Sequence, residues 1–317
     1  MPRFTTLVTA AQWAPGAERI VQAAGGEIAY LDGAVTEERL AERLAATRAE
    51  ALVLRGSPPV TARVLAASPA LRIVAKNGAG VDSVDIAEAR RRGIAVAVAA
   101  GANAYAVAEH ALAMMLALVR GLPQLDRSLR AGGWADAAYR GRDFRGCTVG
   151  IVGYGAIGRH TAQLAAMLGA QVCVLRRSGA ADGFALEADL LRLAARVDVL
   201  SLHCPLTEAT RGLVGARELA ALRPGAILVN TARGAVVDEA ALVTALQSGH
   251  LGGAGLDTFA TEPLPAESPL RRMDQVILTP HVAGVTRDAA ARVATLTATN
   301  VVDHLAGRAL APGHLLP

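Results

Sequence analysis

Three segments in the second half of the chain hold residues able to bind an acid and move a proton: ILVNTARGAVVDE around Arg233, LDTFATEP around Glu262 and ILTPHVAG around His281. Arg carries a planar, permanently charged fork that pairs with carboxylates through two parallel hydrogen bonds. His gives and takes protons near neutral pH, and a neighbouring carboxylate orients an imidazole and favours its charged form. Reduction of a 2-keto acid needs a cation for the carboxylate and carbonyl and an acid for the developing alkoxide. Arg233 and His281 match those needs, with Glu262 as the carboxylate behind the imidazole. Taken singly, each has an ordinary explanation as a surface charge, a turn or a core histidine. Their shared position after successive apolar runs makes them a set.

A second motif supplies the partner such chemistry requires. The run TVGIVGYGAIGRH places Gly153, Gly155 and Gly158 as G-x-G-x-x-G between a β-branched run and a helical segment. In that setting the first glycine makes a tight turn, the second admits a pyrophosphate to the backbone, and the third lets helix and strand pack closely. The helix N-terminus adds free amides and positive potential. About 20 residues further on, an acid that bonds the ribose hydroxyls marks NAD use. This chain has Arg176, Arg177 and Ser178 there. Guanidinium groups and a hydroxyl suit a 2′-phosphate, so the expectation is NADP(H), with NAD(H) possible.

The elements that must hold these residues follow from periodicity. In the first hundred residues, apolar runs at 5–9, 27–31, 51–54, 71–75 and 94–98 alternate with helical segments, the pattern of a parallel βαβ sheet. Thr36 is placed to cap EERLAERLAA, Thr61 to cap ARVLAA, and Gly93 follows ARRR where a helix end is expected. A second series of strands begins at Thr148 and continues at 171–175, 197–201, 226–230, 253–256 and 276–278. Six strands in that order suit a doubly wound dinucleotide-binding domain. Between the series lies a helical stretch, 104–120, and the last helix, 287–305, is expected to return to the first domain. The expected boundaries are 1–101 plus 288–317 for a discontinuous substrate domain and 102–287 for the dinucleotide-binding domain.

Composition agrees with an α/β class. The 317 residues are 52% hydrophobic and only 3% aromatic, so two cores of small aliphatic side chains are expected. A net charge of +4 comes from scattered Arg residues offset by nearly as many acids, with no basic stripe for nucleic acid. Cys147, Cys173 and Cys204 form no C-x-x-C pair, which fits a reducing cytoplasm and no metal site. The opening MPRFTTLVTA lacks a signal peptide's apolar core. The long apolar stretch 93–119 holds Asn103, Glu109 and His110, so it reads as a strand, a loop and a buried helix, with no membrane partner.

Taken in order, the motifs resemble the D-isomer-specific 2-hydroxyacid dehydrogenases, with glyoxylate and hydroxypyruvate reductases similar in layout. The resemblance spans nearly the whole chain: NGAGVDSVD at 77–85, AVAEHALAMML at 106–116, GYGAIGR at 153–159, HCPLT at 203–207, NTARG at 230–234, LDTFATEP at 256–263 and TPHVAG at 279–284. It implies two Rossmann-like domains, the smaller flavodoxin-like, with catalysis in a cleft by Arg233, Glu262 and His281. It implies that Gly78, Ala79 and Gly80 cradle the substrate carboxylate beside Asn77, and that Asp257 meets the nicotinamide carboxamide. It further implies cofactor contacts from Ala156, Ile157, Cys204, Pro205, Thr210, Thr231 and Ala232, and a homodimer. Arg176 is a departure, since many similar members carry Asp there. Lys76, the only lysine, precedes the carboxylate loop and either touches substrate or is a strand-end charge in solvent. His110 is read as a structural or interface residue of the long helix, and Trp134, in RAGGW, as packing near a partner subunit.

The function expected is reduction of glyoxylate or hydroxypyruvate, a small 2-keto acid, to the D-2-hydroxy acid. Short-form D-3-phosphoglycerate dehydrogenase is the nearer alternative, because no regulatory domain is expected after the last helix. A formate dehydrogenase is disfavoured by Glu262, where that family pairs its His with Gln. A dinucleotide-sensing, co-repressor-like protein is the alternative outside enzymology.

Overall fold

The computed structural model describes residues 3–56, 58–134 and 139–316. These fall into two units, Met1–Asn103 with Val285–Pro317, and Ala104–Gly284.

The first unit begins with β1 (Phe4–Val8), α1 (Pro15–Ala23), β2 (Gly26–Tyr30), α2 (Glu37–Thr47), β3 (Ala51–Leu54), α3 (Ala62–Ala66), β4 (Ile73–Lys76), α4 (Ile86–Arg91) and β5 (Ala95–Val98). Its five strands are all parallel in the order β2-β1-β3-β4-β5, the flavodoxin-like arrangement. Alternation sorts the side chains. Leu52, Leu54, Val74 and Val96 face Leu40, Leu44 and Leu65 on one side, and Val53, Ile73, Ala75 and Ala97 face α1 on the other. Both faces are buried, as parallel sheets require.

The second unit runs through α5 (Ala104–Val119), α6 (Leu122–Arg130), β6 (Thr148–Val152), α7 (Ala156–Met167), β7 (Gln171–Leu175), β8 (Ala185–Leu186), α8 (Leu190–Ala194), β9 (Val199–Leu202), α9 (Ala216–Ala221), β10 (Ala226–Asn230), α10 (Glu239–Gln247), β11 (Leu251–Leu256) and β12 (Val276–Leu278). The sheet order is β12-β11-β10-β9-β6-β7-β8, and every pairing is parallel. Seven strands replace the six expected. The extra one, β8, has two exposed residues paired with Cys173 and Val174, too short to show any alternation of its own. Helices α5 and α7 cover one face through Met114, Met115, Ala162 and Ala165, and α8 to α10 cover the other through Leu193, Leu219, Leu242 and Leu246.

The chain then returns to the first unit as α11 (Arg287–Leu305), capped by Thr286, which accepts from Ala289 N. Asn300 of α11 is buried and donates to Val98 O at 3.0 Å. Thr36 caps α2 as expected. Thr61 stands at the start of α3 without capping it, because its hydroxyl donates to Glu37 Oε1 at 2.5 Å. Among the described residues, no single helix is long and apolar enough to cross a membrane, and α5 and α6 pass that test only as a pair bent by 64°.

Candidate functional site

Apart from AVAEHALAMML on α5, the second-unit motifs lie at the carboxyl ends of parallel strands. The glycine loop follows β6, Arg176 follows β7, HCPLT follows β9, NTARG follows β10, LDTFATEP follows β11 and TPHVAG follows β12. Ligands of open α/β sheets bind along this edge.

The three loop glycines differ in what their missing side chains permit. Gly153 has φ of 92°, and an added Cβ would lie 2.7 Å from Cys204 N, so this turn is pressed onto the HCPLT segment. An added Cβ on Gly158 would sit 2.0 Å from Gly153 O. Gly155 has nothing within 4 Å of that position, so this backbone face is open. Ala156 and Ile157 begin α7, whose N-cap Gly155 offers no side chain to its first amides. A dinucleotide fits such a loop, with pyrophosphate against Gly155 and the free amides. Along the same strand-end edge, Thr231 Oγ1 after β10 and His203 Nδ1 after β9 are buried and lack a hydrogen-bond partner among the described residues.

At the end of β7, Arg176 lies over the Tyr154 ring, 5.5 Å from its centroid, and its Nη1 donates to Ala180 O. Arg177 and Ser178 are exposed. No acid stands at this strand end in sequence, yet Asp182 comes back to it and accepts from the Tyr154 hydroxyl at 3.0 Å. Cys204 and its two companion cysteines are free and buried, and burial raises the Cys204 thiol. Pro205 O accepts from Thr210 Oγ1 at 2.6 Å, so Thr210 fastens the turn after HCPLT. His203 is held neutral by burial, which lowers its pKa from 6.5 to about 3.

The turn at Arg233 is built by a residue the sequence reading passed over. Asn230 is buried, donates from Nδ2 to Arg233 O at 2.9 Å, and accepts from Ala232 N at 3.0 Å. Arg233 Nη1 donates to Ala232 O at 2.7 Å. Next to it, an added Cβ on Gly234 would lie 1.9 Å from Phe259 C, so the NTARG turn abuts the LDTFATEP loop directly. In that loop Phe259 N donates to Glu262 Oε1 at 3.1 Å. Glu262 Oε2 in turn meets His281 Nδ1 at 2.8 Å, with the side chains 37% and 48% exposed. A carboxylate only accepts, so Nδ1 carries the hydrogen and Nε2 remains for proton transfer.

His281 has φ of 55°, an uncommon backbone setting for a non-glycine residue. Asp257, 1% exposed, secures that loop: its Oδ1 accepts from Thr279 Oγ1 and Val282 N, and its Oδ2 from Ala283 N, at 2.6, 2.8 and 2.9 Å. Because Thr279 donates to Asp257, it accepts from His110 Nε2 at 3.1 Å. A cavity of about 550 Å³ lies beside the pair, lined by Phe259, Glu262, Leu278 and His281 among others.

A family profile described as D-isomer specific 2-hydroxyacid dehydrogenase, NAD binding domain, matches residues 112–283, more than half of the chain. The chain belongs to the D-isomer specific 2-hydroxyacid dehydrogenase family. It is 43% identical over 285 residues to a D-3-phosphoglycerate dehydrogenase of Mycobacterium bovis, covering 89% of this chain and 53% of that one. The chain thus spans about half the length of the curated phosphoglycerate dehydrogenases it matches first. An (S)-sulfolactate dehydrogenase of Chromohalobacter salexigens is 38% identical over 283 residues, 88% of this chain and 92% of that one. Among solved structures, a glyoxylate reductase from Paecilomyes thermophila superposes with a TM-score of 0.86 at 28% identity, covering 100% of this chain and 98% of that one.

In this family member the loop after β4 belongs to the first unit. Asn77 N donates to Leu54 O at 2.9 Å, Gly78 has φ of 151°, and its carbonyl accepts from Ala99 N at 2.8 Å. Trp13 Nε1 donates to Asn77 Oδ1 at 3.1 Å. Ala79 is exposed and Gly80 half-buried. Lys76 is not a solvated strand-end charge: it is 8% exposed, and its ammonium donates to Gly56 O, because its strand is interior and the β3 loop folds over it.

Proposed function

We propose that this chain reduces a small 2-keto acid, glyoxylate or hydroxypyruvate, to the D-2-hydroxy acid with NADPH. The observation that carries the reading is the His281–Glu262 pair at 2.8 Å, beside the turn that bears Arg233. The nicotinamide, when bound, supplies the hydride in reduction and takes it up in the reverse direction. Arg233 binds the carboxylate and polarises the carbonyl with a charge that needs no reorganisation. His281, charged and anchored at Nδ1, gives its Nε2 proton to the forming alkoxide, and the neutral ring takes it back in oxidation. Glu262 balances the imidazolium and fixes its direction.

Gly155, Ala156, Ile157 and Gly158 would hold the pyrophosphate, with Cys204, Pro205, Thr210, Thr231 and Ala232 along the cofactor's path. A carboxylate has about four acceptor sites. Asp257 fills three of them within the chain, leaving one for the carboxamide. Arg176, Arg177 and Ser178 are the proposed 2′-phosphate ligands. Lys76, Asn77, Gly78, Ala79 and Gly80 are the proposed carboxylate ligands. The 43% identity to phosphoglycerate dehydrogenases supports a second reading, in which the substrate carries a phosphate.

The test is the initial rate of reduced-nicotinamide loss with NADPH and NADH, each against glyoxylate, hydroxypyruvate and 3-phosphohydroxypyruvate. NADPH-led turnover of glyoxylate or hydroxypyruvate is expected. Turnover confined to the phosphorylated acid moves the assignment to the second reading, and no turnover with any of them overturns both.

A further inference from the structure

At the end of β7 the structure brings together four side chains that sequence spacing does not group. Tyr154 lies inside the glycine motif, Arg159 follows it on α7, Arg176 follows β7, and Asp182 lies in the loop beyond. The Tyr154 ring carries two guanidinium groups, Arg176 at 5.5 Å and Arg159 at 5.6 Å from its centroid. One oxygen of Asp182 serves two of these partners, accepting from the Tyr154 hydroxyl at 3.0 Å and pairing with Arg159 Nε at 3.2 Å. Asp182 reaches them from a left-handed backbone, φ 50°, which turns its carboxylate back toward the strand end.

We propose that Arg159 and Asp182 set how strongly the site distinguishes NADP(H) from NAD(H). Arg159 is a second guanidinium for the 2′-phosphate, and Asp182 is an internal carboxylate that holds this guanidinium until the phosphate takes it. The inference rests on the NADP(H) reading of the site and deepens it. Two guanidiniums against one carboxylate leave the cluster positive. A phosphate monoester dianion meets that charge and offers three acceptor oxygens, where Asp182 presents one oxygen to both partners.

The internal pair can give way. Its side chains are 49% and 40% exposed, and an ion pair that open to solvent contributes at most a factor of about five to an equilibrium. A phosphate bound between two guanidiniums gains more than that. Asp182 nonetheless stays close, and its charge opposes the phosphate. The same carboxylate accepts a hydrogen bond from an unmodified 2′-hydroxyl, so it keeps NAD(H) within reach of a site otherwise built for phosphate. The preference is therefore graded by a balance between Arg159 and Asp182, with Tyr154 as the platform that aligns them.

The test is the dissociation constants of NADPH and NADH, read by nicotinamide fluorescence without substrate, for the wild type, Asp182→Asn, Arg159→Gln and the double variant. Removing the opposing charge should tighten NADPH about threefold to tenfold and weaken NADH. Arg159→Gln should weaken NADPH about tenfold while leaving NADH within about twofold. In the double variant the gain from Asp182→Asn should shrink, since the part that frees Arg159 is lost and only the direct repulsion of the phosphate is relieved. Asp182→Asn moving both cofactors equally, or neither, overturns the inference. A wild type without NADPH preference overturns the cofactor reading alone. The inference then stands or falls on whether Asp182→Asn drives the two affinities apart. Both side chains are about half exposed, so the variants should fold, and unchanged circular dichroism checks this.

Discussion

The proton-transfer role assigned to His281 depends on a carboxylate 19 residues earlier and on a backbone held by another, Asp257. Neither acid can be replaced by general polarity, because each fills a specific donor direction. His281→Ala should lower kcat for keto-acid reduction by about 10² to 10⁴-fold, the usual loss for a positioned acid, while NADPH affinity stays within about twofold. Single-turnover rates alongside NADPH titration check this, and full turnover in the variant contradicts the role. Asn230 shows the same logic on the Arg233 side. Its two bonds across the turn present the guanidinium, and an Asn at the start of N-T-A-R-G is the one signal that could have marked it, since Asn side chains mimic backbone turns.

At the scale of elements, the glycine loop separates two demands. Gly158 serves packing and Gly155 serves the ligand. Gly158→Ala forces a Cβ onto Gly153 O, so it should destabilise the second unit by about 1–3 kcal/mol, the cost of overpacking. Gly155→Val meets open space at φ −82°, so the melting temperature should hold while dinucleotide binding is lost. Calorimetry with fluorescence titration separates the two, and a Gly155→Val protein that binds NADPH normally argues against the pyrophosphate assignment.

Strand β9 makes a second element-scale prediction through its flanking residues, Asp198 and His203. Burial works to raise the Asp198 carboxyl, but Arg142, Thr148 N and Arg223 together hold it below its ordinary value. His203 falls from 6.5 to about 3 on burial. Both folded-state values are depressed, so both contributions are present above the unfolded values and are lost as pH falls. For His203 the window runs from 6.5 down to about 3. Stability should therefore begin to decline below pH 6.5. His203→Asn should delay that decline, and Asp198→Asn should remove only its more acid part. Melting temperatures across this range provide the readout, and an unchanged decline in His203→Asn contradicts the assignment.

At the scale of the whole molecule, one surface stands out. Helix α6 buries none of its residues; Leu122 and Leu129 lie exposed on it, and Trp134, just beyond, is 84% exposed. Large apolar groups clustered in water mark contact surfaces. We propose that this face joins two copies of the chain. Sedimentation velocity should give twice the 32.5 kDa chain mass, and the pair of changes Leu129→Glu and Trp134→Glu should return it to a monomer. A monomeric wild type would count against the homodimer.

Local pattern carried much of this protein. Alternating apolar runs predict both parallel sheets, since a strand buried on two faces shows itself in composition alone, and β3, β7, β10 and β12 begin and end where those runs do. The glycine spacing and the Arg, Glu and His segments were legible because chemistry restricts which residues stand after which strand. Folding in three dimensions set the meetings between distant residues. It paired β8 with β7, sent the Thr61 hydroxyl to Glu37, drew Lys76 under Gly56, pressed Gly234 onto Phe259, and returned Asp182 to the end of β7. Periodicity records which face of a strand or helix is buried, and it holds no information on which side chain from elsewhere arrives there.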